Sequence, residues 1–162
     1  MKYALNLDND GRIREISEDF VALFGLLGAI FGTVGAAQNY NAYPVLSFTN
    51  MVSGFTHCIA GFASLYVLIV GLASLQKKNM VGTFALLGFF CGAAMIANAA
   101  LDYNYMFLRS HDGTPYQILY DLVGGHAVLY PVVVIALFVV YMGAFYGIAS
   151  LIRKSKKAKA TV

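Results

Sequence analysis

The sequence predicts an all-α integral membrane protein, a four-transmembrane-helix bundle with both termini cytoplasmic. Three observations carry that expectation. First, 59% of the 162 residues are hydrophobic and only 12% are charged, against about 45–50% and about 25% in soluble domains. A water-exposed globule of this length leaves roughly 30% of its chain surface wet, too much for a chain of mean hydropathy +0.68. Disorder is excluded on the same numbers, because disordered chains are poor in aromatics and rich in charge. Second, no Asp, Glu, Lys or Arg occurs between Asp19 and Lys77, from Asn79 to Leu101, or from Leu122 to Ile152. Third, the basic residues are distributed unevenly between the two ends that such spans would have.

The N-terminal segment, residues 1–19, carries five acids (Asp8, Asp10, Glu15, Glu18, Asp19) and three bases (Lys2, Arg12, Arg14). A cleaved signal needs a positive region directly before its apolar core, so the first helix is expected to remain as an anchor, although Gly35, Ala36 and Ala37 imitate a cleavage site. Asn6-Leu7-Asp8-Asn9-Asp10-Gly11 has the look of a calcium loop, but it opens on Asn and reaches Ser17 where a bidentate Glu is required. Asp10-Gly11 therefore predicts a turn. Beyond it, Ile13, Ile16 and Phe20 share one helical face and predict an interfacial helix running into the first span.

A crossing needs about 20 residues, so the gap from Asp19 to Lys77 holds two crossings. Their turn is placed at Gln38-Asn39-Tyr40-Asn41-Ala42-Tyr43-Pro44, the polar, Pro-containing cluster in the gap. The four helices are then about Phe20–Ala37, Met51–Leu75, Val81–Tyr103 and Ile118–Ile152. This divides the chain into a cytoplasmic segment 1–19, a transmembrane domain 20–152 and a basic tail 153–162. An even number of spans puts Lys2, Arg12, Arg14, Lys77, Lys78, Arg153, Lys154, Lys156, Lys157 and Lys159 on one side and leaves Arg109 on the other. Basic residues mark the cytoplasmic side. The net charge of +3 is thus a topology signal and a tail lying against anionic headgroups, with no nucleic-acid partner implied.

Glycines stripe the helix faces: Gly25, Gly28, Gly32 and Gly35 in the first span, Gly54 and Gly61 in the second, Gly82, Gly88 and Gly92 with Ala93, Ala97 and Ala100 in the third. No hydrophobic force acts between helices in lipid, so small residues permit the close backbone approach that packing requires. The stripes predict tight helix packing within the chain, with other membrane subunits or by self-association. Faces this apolar exclude a wide aqueous pore. Cys58 and Cys91 lie inside spans without a CxxC pair and read as small hydrophobes.

The ionisable residues are few and gather near the outer ends: His57 in the second span, Asn98 and Asp102 in the third, Asp121 and His126 at the start of the fourth. His111 and Asp112 lie between. Tyr40, Tyr43, Tyr103, Tyr105, Tyr116, Tyr120 and Tyr130 ring the same side. The inner halves are expected to carry no polar group capable of chemistry. At about 1.5 Å per residue, His57 lies about 30 Å from Lys77, and His126 about 40 Å from Arg153. The two histidines face one another only if Pro131 kinks the fourth helix or tilt lowers it.

Three readings of this cluster compete. Tyr and His belong at headgroup level, and the cluster is then merely interfacial. Alternatively, His57 and His126 from two helices supply the minimum ligation for haem b, with Gly124-Gly125 admitting a flat ring. The same histidines with Asp102 would instead hold a metal ion through N and O donors. Third, an intramembrane ionisable residue suggests a proton or ion relay. Ser53 and Thr56 beside His57 build no GxSxG elbow, so the chain is not read as an enzyme by itself. The expected function is a small polytopic subunit packing through its glycine faces within a larger membrane complex or homo-oligomer. The alternatives are a haem- or metal-binding electron-transfer subunit, such as one of a membrane oxidoreductase, and a transport subunit.

Overall fold

Helix α1 (Lys2–Gln38) is one continuous helix of 37 residues. The turn expected at Asp10-Gly11 is absent. Local support comes from Arg14, whose Nε donates to Glu18 at 2.8 Å one turn on, and a helix accepts Gly at a cost of roughly 1 kcal/mol. The computed structural model describes the backbone of residues 2–38 and 47–159, and side chains within 10–32, 47–48 and 51–155. The predicted turn at 39–44 and the surroundings of Gly35 lie outside the described residues, as do the side chains of Lys156, Lys157 and Lys159.

Three further long helices follow: α2 (Phe48–Ile69), α3 (Lys77–Leu101) and, after the short α4 (Gln117–Leu122), α5 (Leu129–Lys159). The second helix ends earlier than expected because Gly71 turns the chain at φ +78°, and Leu75 follows at φ +46°. The predicted fourth helix is two helices. Gly124 and Gly125 take φ +61° and +69°, conformations that glycine adopts freely and that interrupt a right-handed helix.

Successive long helices run antiparallel. Midway along α1, Asp19 meets the α2–α3 link at Leu75, and toward its end Phe31 meets Tyr116, with ring centroids 5.5 Å apart. The core consists of stripes at four-residue spacing, the period of one helix face: Leu23 and Leu27 on α1, Leu87 and Cys91 on α3, and Val134, Phe138, Met142 and Tyr146 on α5. Helix α2 packs chiefly on α1. There a Cβ on Gly25 would stand 2.9 Å from the Ala60 carbonyl oxygen, and one on Gly61 would stand 2.8 Å from Ala29 Cβ. Ser64 Oγ donates to the Ala22 carbonyl across the same seam at 2.5 Å.

Among the described residues, three helices are long and apolar enough to cross a membrane: Met51–Ile69, Lys77–Leu101 and Leu129–Ser155. Their outward rows, such as Phe55, Ile59, Phe62 and Ile69 on α2, are exposed. In a soluble protein such a surface would mark aggregation or an interface; here it is lipid-facing. The protein is an all-helical integral membrane protein in contact with the bilayer.

Candidate functional site

A cavity of about 990 Å³ opens at the tyrosine-rich end, between α1, the start of α2 and the loop that follows α3. Its floor is apolar. Phe24, Leu27 and Phe31 project from one face of α1, and Phe138 of α5 completes it, meeting Phe24 edge-on at 5.7 Å. Its rim is polar, with His57, Asp102, Asn104, Arg109 and Asp112 among the lining side chains.

Asn98 and Asn104 shape the rim. Buried Asn98 clasps the chain at Tyr105, accepting from its N–H at 2.5 Å and donating to its carbonyl at 3.1 Å. Asn104 Nδ2 donates to the Ser110 carbonyl at 2.8 Å and to Asp112 at 2.7 Å. Its Oδ1 accepts the Arg109 N–H at 3.0 Å, and Ser110 Oγ donates to Asp112. Between these anchors Met106 and Phe107 hold φ +59° and +55°, a left-handed conformation that L-residues keep only when their surroundings enforce it. Burial pushes the Tyr116 phenol above its ordinary pKa, with Tyr130 adding to the effect, so Tyr116 stays neutral at the cavity wall.

His57 is the best-positioned polar group. Its Nδ1 lies 2.7 Å from the Ser53 carbonyl and 3.3 Å from Ser53 Oγ. A carbonyl only accepts, so in the neutral ring Nδ1 carries the proton and Nε2 holds a lone pair. The ring edge bearing Cδ2 and Nε2 lies against Gly32, where any Cβ would overlap it. Gly28, one turn earlier on the same face, also lines the cavity, but a Cβ there would meet nothing within 4 Å. The same open space surrounds Gly54, Gly88 and Gly92.

Of the residues predicted as a cofactor or metal set, His57 and Asp102 share this cavity. Asp102, the left-handed residue that ends α3, pairs instead with Arg109 at 2.5 Å. His126 stands exposed in the link before α5, outside the fourth helix, so the helical-rise count does not apply to it. Its Nδ1 accepts from the Val128 and Leu129 N–H groups at 3.3 and 3.4 Å, helping to cap α5. Each of the three is thus engaged with a different local partner. Among the described residues no group of three or more His, Cys, Asp or Glu side chains sits together as a metal site would require.

At the opposite end lies a network the sequence reading missed, which corrects the expectation of featureless inner halves. Asp19, fully buried on α1, accepts from the Leu75 N–H at 2.8 Å, from Asn79 Nδ2 at 3.2 Å and from the Tyr146 hydroxyl at 3.0 Å. Thr83 Oγ1 lies 2.8 Å from that hydroxyl. Arg153 donates to the Ser74 and Leu75 carbonyls at 2.7 and 2.6 Å, and Lys78 pairs with Glu15 at 2.9 Å. The hydrogen bond and charge of Lys78, aided by Asn79, hold the Glu15 carboxyl below its ordinary pKa. Together these contacts tie α1, α3, α5 and the α2–α3 link into one clasp. Asn79 and Thr83 at i, i+4 on one face were the available signal; their partners are far away in sequence.

No curated protein and no solved structure shows significant similarity to this chain. A family description does match, over residues 14–146, a stretch that includes the α1 half of the clasp, the whole cavity wall and most of α5. An all-helical, lipid-facing chain matched over that length belongs to the TMEM164 family.

Proposed function

We propose that the protein spans the membrane four times with both termini cytoplasmic, α1 supplying the fourth crossing, and that its outer cavity binds an amphiphile drawn from the bilayer. One observation carries the binding reading: a single cavity of about 990 Å³ has a floor of Phe24, Leu27, Phe31 and Phe138 beneath a rim of His57, Asn104 and Arg109. Binding sites for small molecules are mostly apolar with a few placed polar groups. Here the apolar groups of the floor come from α1 and α5 and the polar ones from α2 and the loop after α3, a division that suits an amphiphile's tail and head. Arg109 offers the head the donors that Asp102 leaves free, and the His57 ring, packed on Gly32, closes the wall beside it. The close approach at Gly25, Gly32 and Gly61 supports a packing role for the stripe within the chain.

Native mass spectrometry of the protein released from nanodiscs tests this. The wild type should retain one amphiphile per chain. Gly28→Phe places a ring in open space inside the cavity and should lose it, while Gly88→Phe, on the exposed face of α3, should keep it. Equal retention by wild type and Gly28→Phe refutes the assignment.

A further inference from the structure

A second cleft, of about 620 Å³, opens at the clasp end, between the α2–α3 link and α5. Its side chains include Ser74, Gln76, Lys77, Lys78, Ser150 and Arg153, and among the described residues no carboxylate lines it. Three cations thus face one concavity. Each keeps donors to spare: Arg153 uses two of its five N–H groups on the Ser74 and Leu75 carbonyls, Lys78 makes one pair with Glu15, and Lys77 is an exposed residue. Those two carbonyl bonds hold the Arg153 guanidinium against the link, so its fork is oriented before any ligand arrives, the condition under which Arg recognises phosphate well. Gly71, left-handed at φ +78°, brings bare backbone to the wall. The cleft lies where the apolar spans of α3 and α5 begin and end, which is the depth of lipid headgroups.

We propose that this cleft is a phosphate-binding site, filled by the headgroup of an anionic lipid in the leaflet it faces. The inference is independent of the amphiphile reading of the other cavity, which lies toward the other end of α3 and α5 and shares no lining residue with this cleft. Its binding energy comes from convergence of charge, and a basic residue near a membrane surface contributes about 1 kcal/mol, roughly fivefold in affinity.

The test uses the full chain in nanodiscs of phosphatidylcholine with or without phosphatidic acid, read by native mass spectrometry. The wild type should retain phosphatidic acid in preference to phosphatidylcholine. Lys77→Gln, at an exposed lining position outside the Asp19 network, should weaken retention about fivefold. Lys154→Gln, exposed and outside the cleft, should weaken it clearly less than Lys77→Gln does. Equal losses in the two variants, or none in either, overturn the proposal, since diffuse surface charge would then account for any binding. Millimolar inorganic phosphate separates the sources: failure to displace the lipid supports a headgroup site, whereas displacement together with a thermal shift lost in Lys77→Gln assigns the cleft to free phosphate and overturns the lipid assignment.

Discussion

Gly28 and Gly32 lie one helical turn apart on α1, and the structure predicts opposite outcomes for the same substitution. Replacing glycine by alanine inside a helix gains roughly 0.5–1 kcal/mol from the unfolded chain's lost freedom. At Gly28 nothing stands within 4 Å of the new methyl, so Gly28→Ala should stabilise by about that amount. At Gly32 the methyl would occupy the space of the His57 ring. The ring cannot swing away cheaply, because its Nδ1 is held by the Ser53 carbonyl at 2.7 Å. Overpacking of this kind costs about 1–3 kcal/mol, and loss of the hydrogen bond about 1 kcal/mol more. The two variants should therefore differ by about 2–4 kcal/mol after the shared helix gain is removed. Thermal or denaturant unfolding in detergent micelles measures the difference, and the imidazole resonances of His57 should shift in Gly32→Ala alone. The double variant Gly32→Ala/His57→Ala should recover most of the loss. If Gly32→Ala is as stable as Gly28→Ala, or if removing His57 restores nothing, the close approach of Gly32 to the ring is wrong.

Other expectations follow from the clasp and the topology. Asp19→Ala removes bonds from Leu75, Asn79 and Tyr146; it leaves the Leu75 N–H without this acceptor, while Asn79 keeps Ser74 and Glu15 and Tyr146 keeps Thr83, so it should destabilise by about 1–3 kcal/mol, and Tyr146→Phe should cost about 1 kcal/mol in the same unfolding assay. Because the folded Glu15 carboxyl titrates below its ordinary value, its contribution is present above the unfolded carboxyl pKa of about 4.3 and disappears as pH falls through the lower folded value. The melting-temperature gap between wild type and Glu15→Gln should accordingly close on acidification, and a gap that widens would contradict the sign. A cysteine introduced at Ser155 should resist impermeant reagents added outside intact cells while one at Ser110 reacts; the reverse pattern overturns the proposed orientation.

The sequence by itself determined the class of structure. Charge-free runs and hydropathy located the lipid-facing helices, since a bilayer admits only segments that satisfy their backbone internally, and both properties are local. It also located the boundary polar residues His57, Asn98 and Asp102 near one end. What it could not determine is where each of these side chains turns. Asp19 looked like one more charge before the first span, yet folding surrounds it with Leu75, Asn79 and Tyr146 from three other segments. Gly25, Gly28 and Gly32 look alike in sequence, but only two of them meet a neighbour, because helix rotation decides which face touches α2. His126 sits in the link before α5, set off from α4 by two left-handed glycines, a backbone choice open to any Gly-Gly pair and not fixed by the local sequence. Periodicity and charge are written residue by residue, whereas convergence depends on helix rotation, breaks and loop anchors such as Asn104, and these are properties of the assembled bundle.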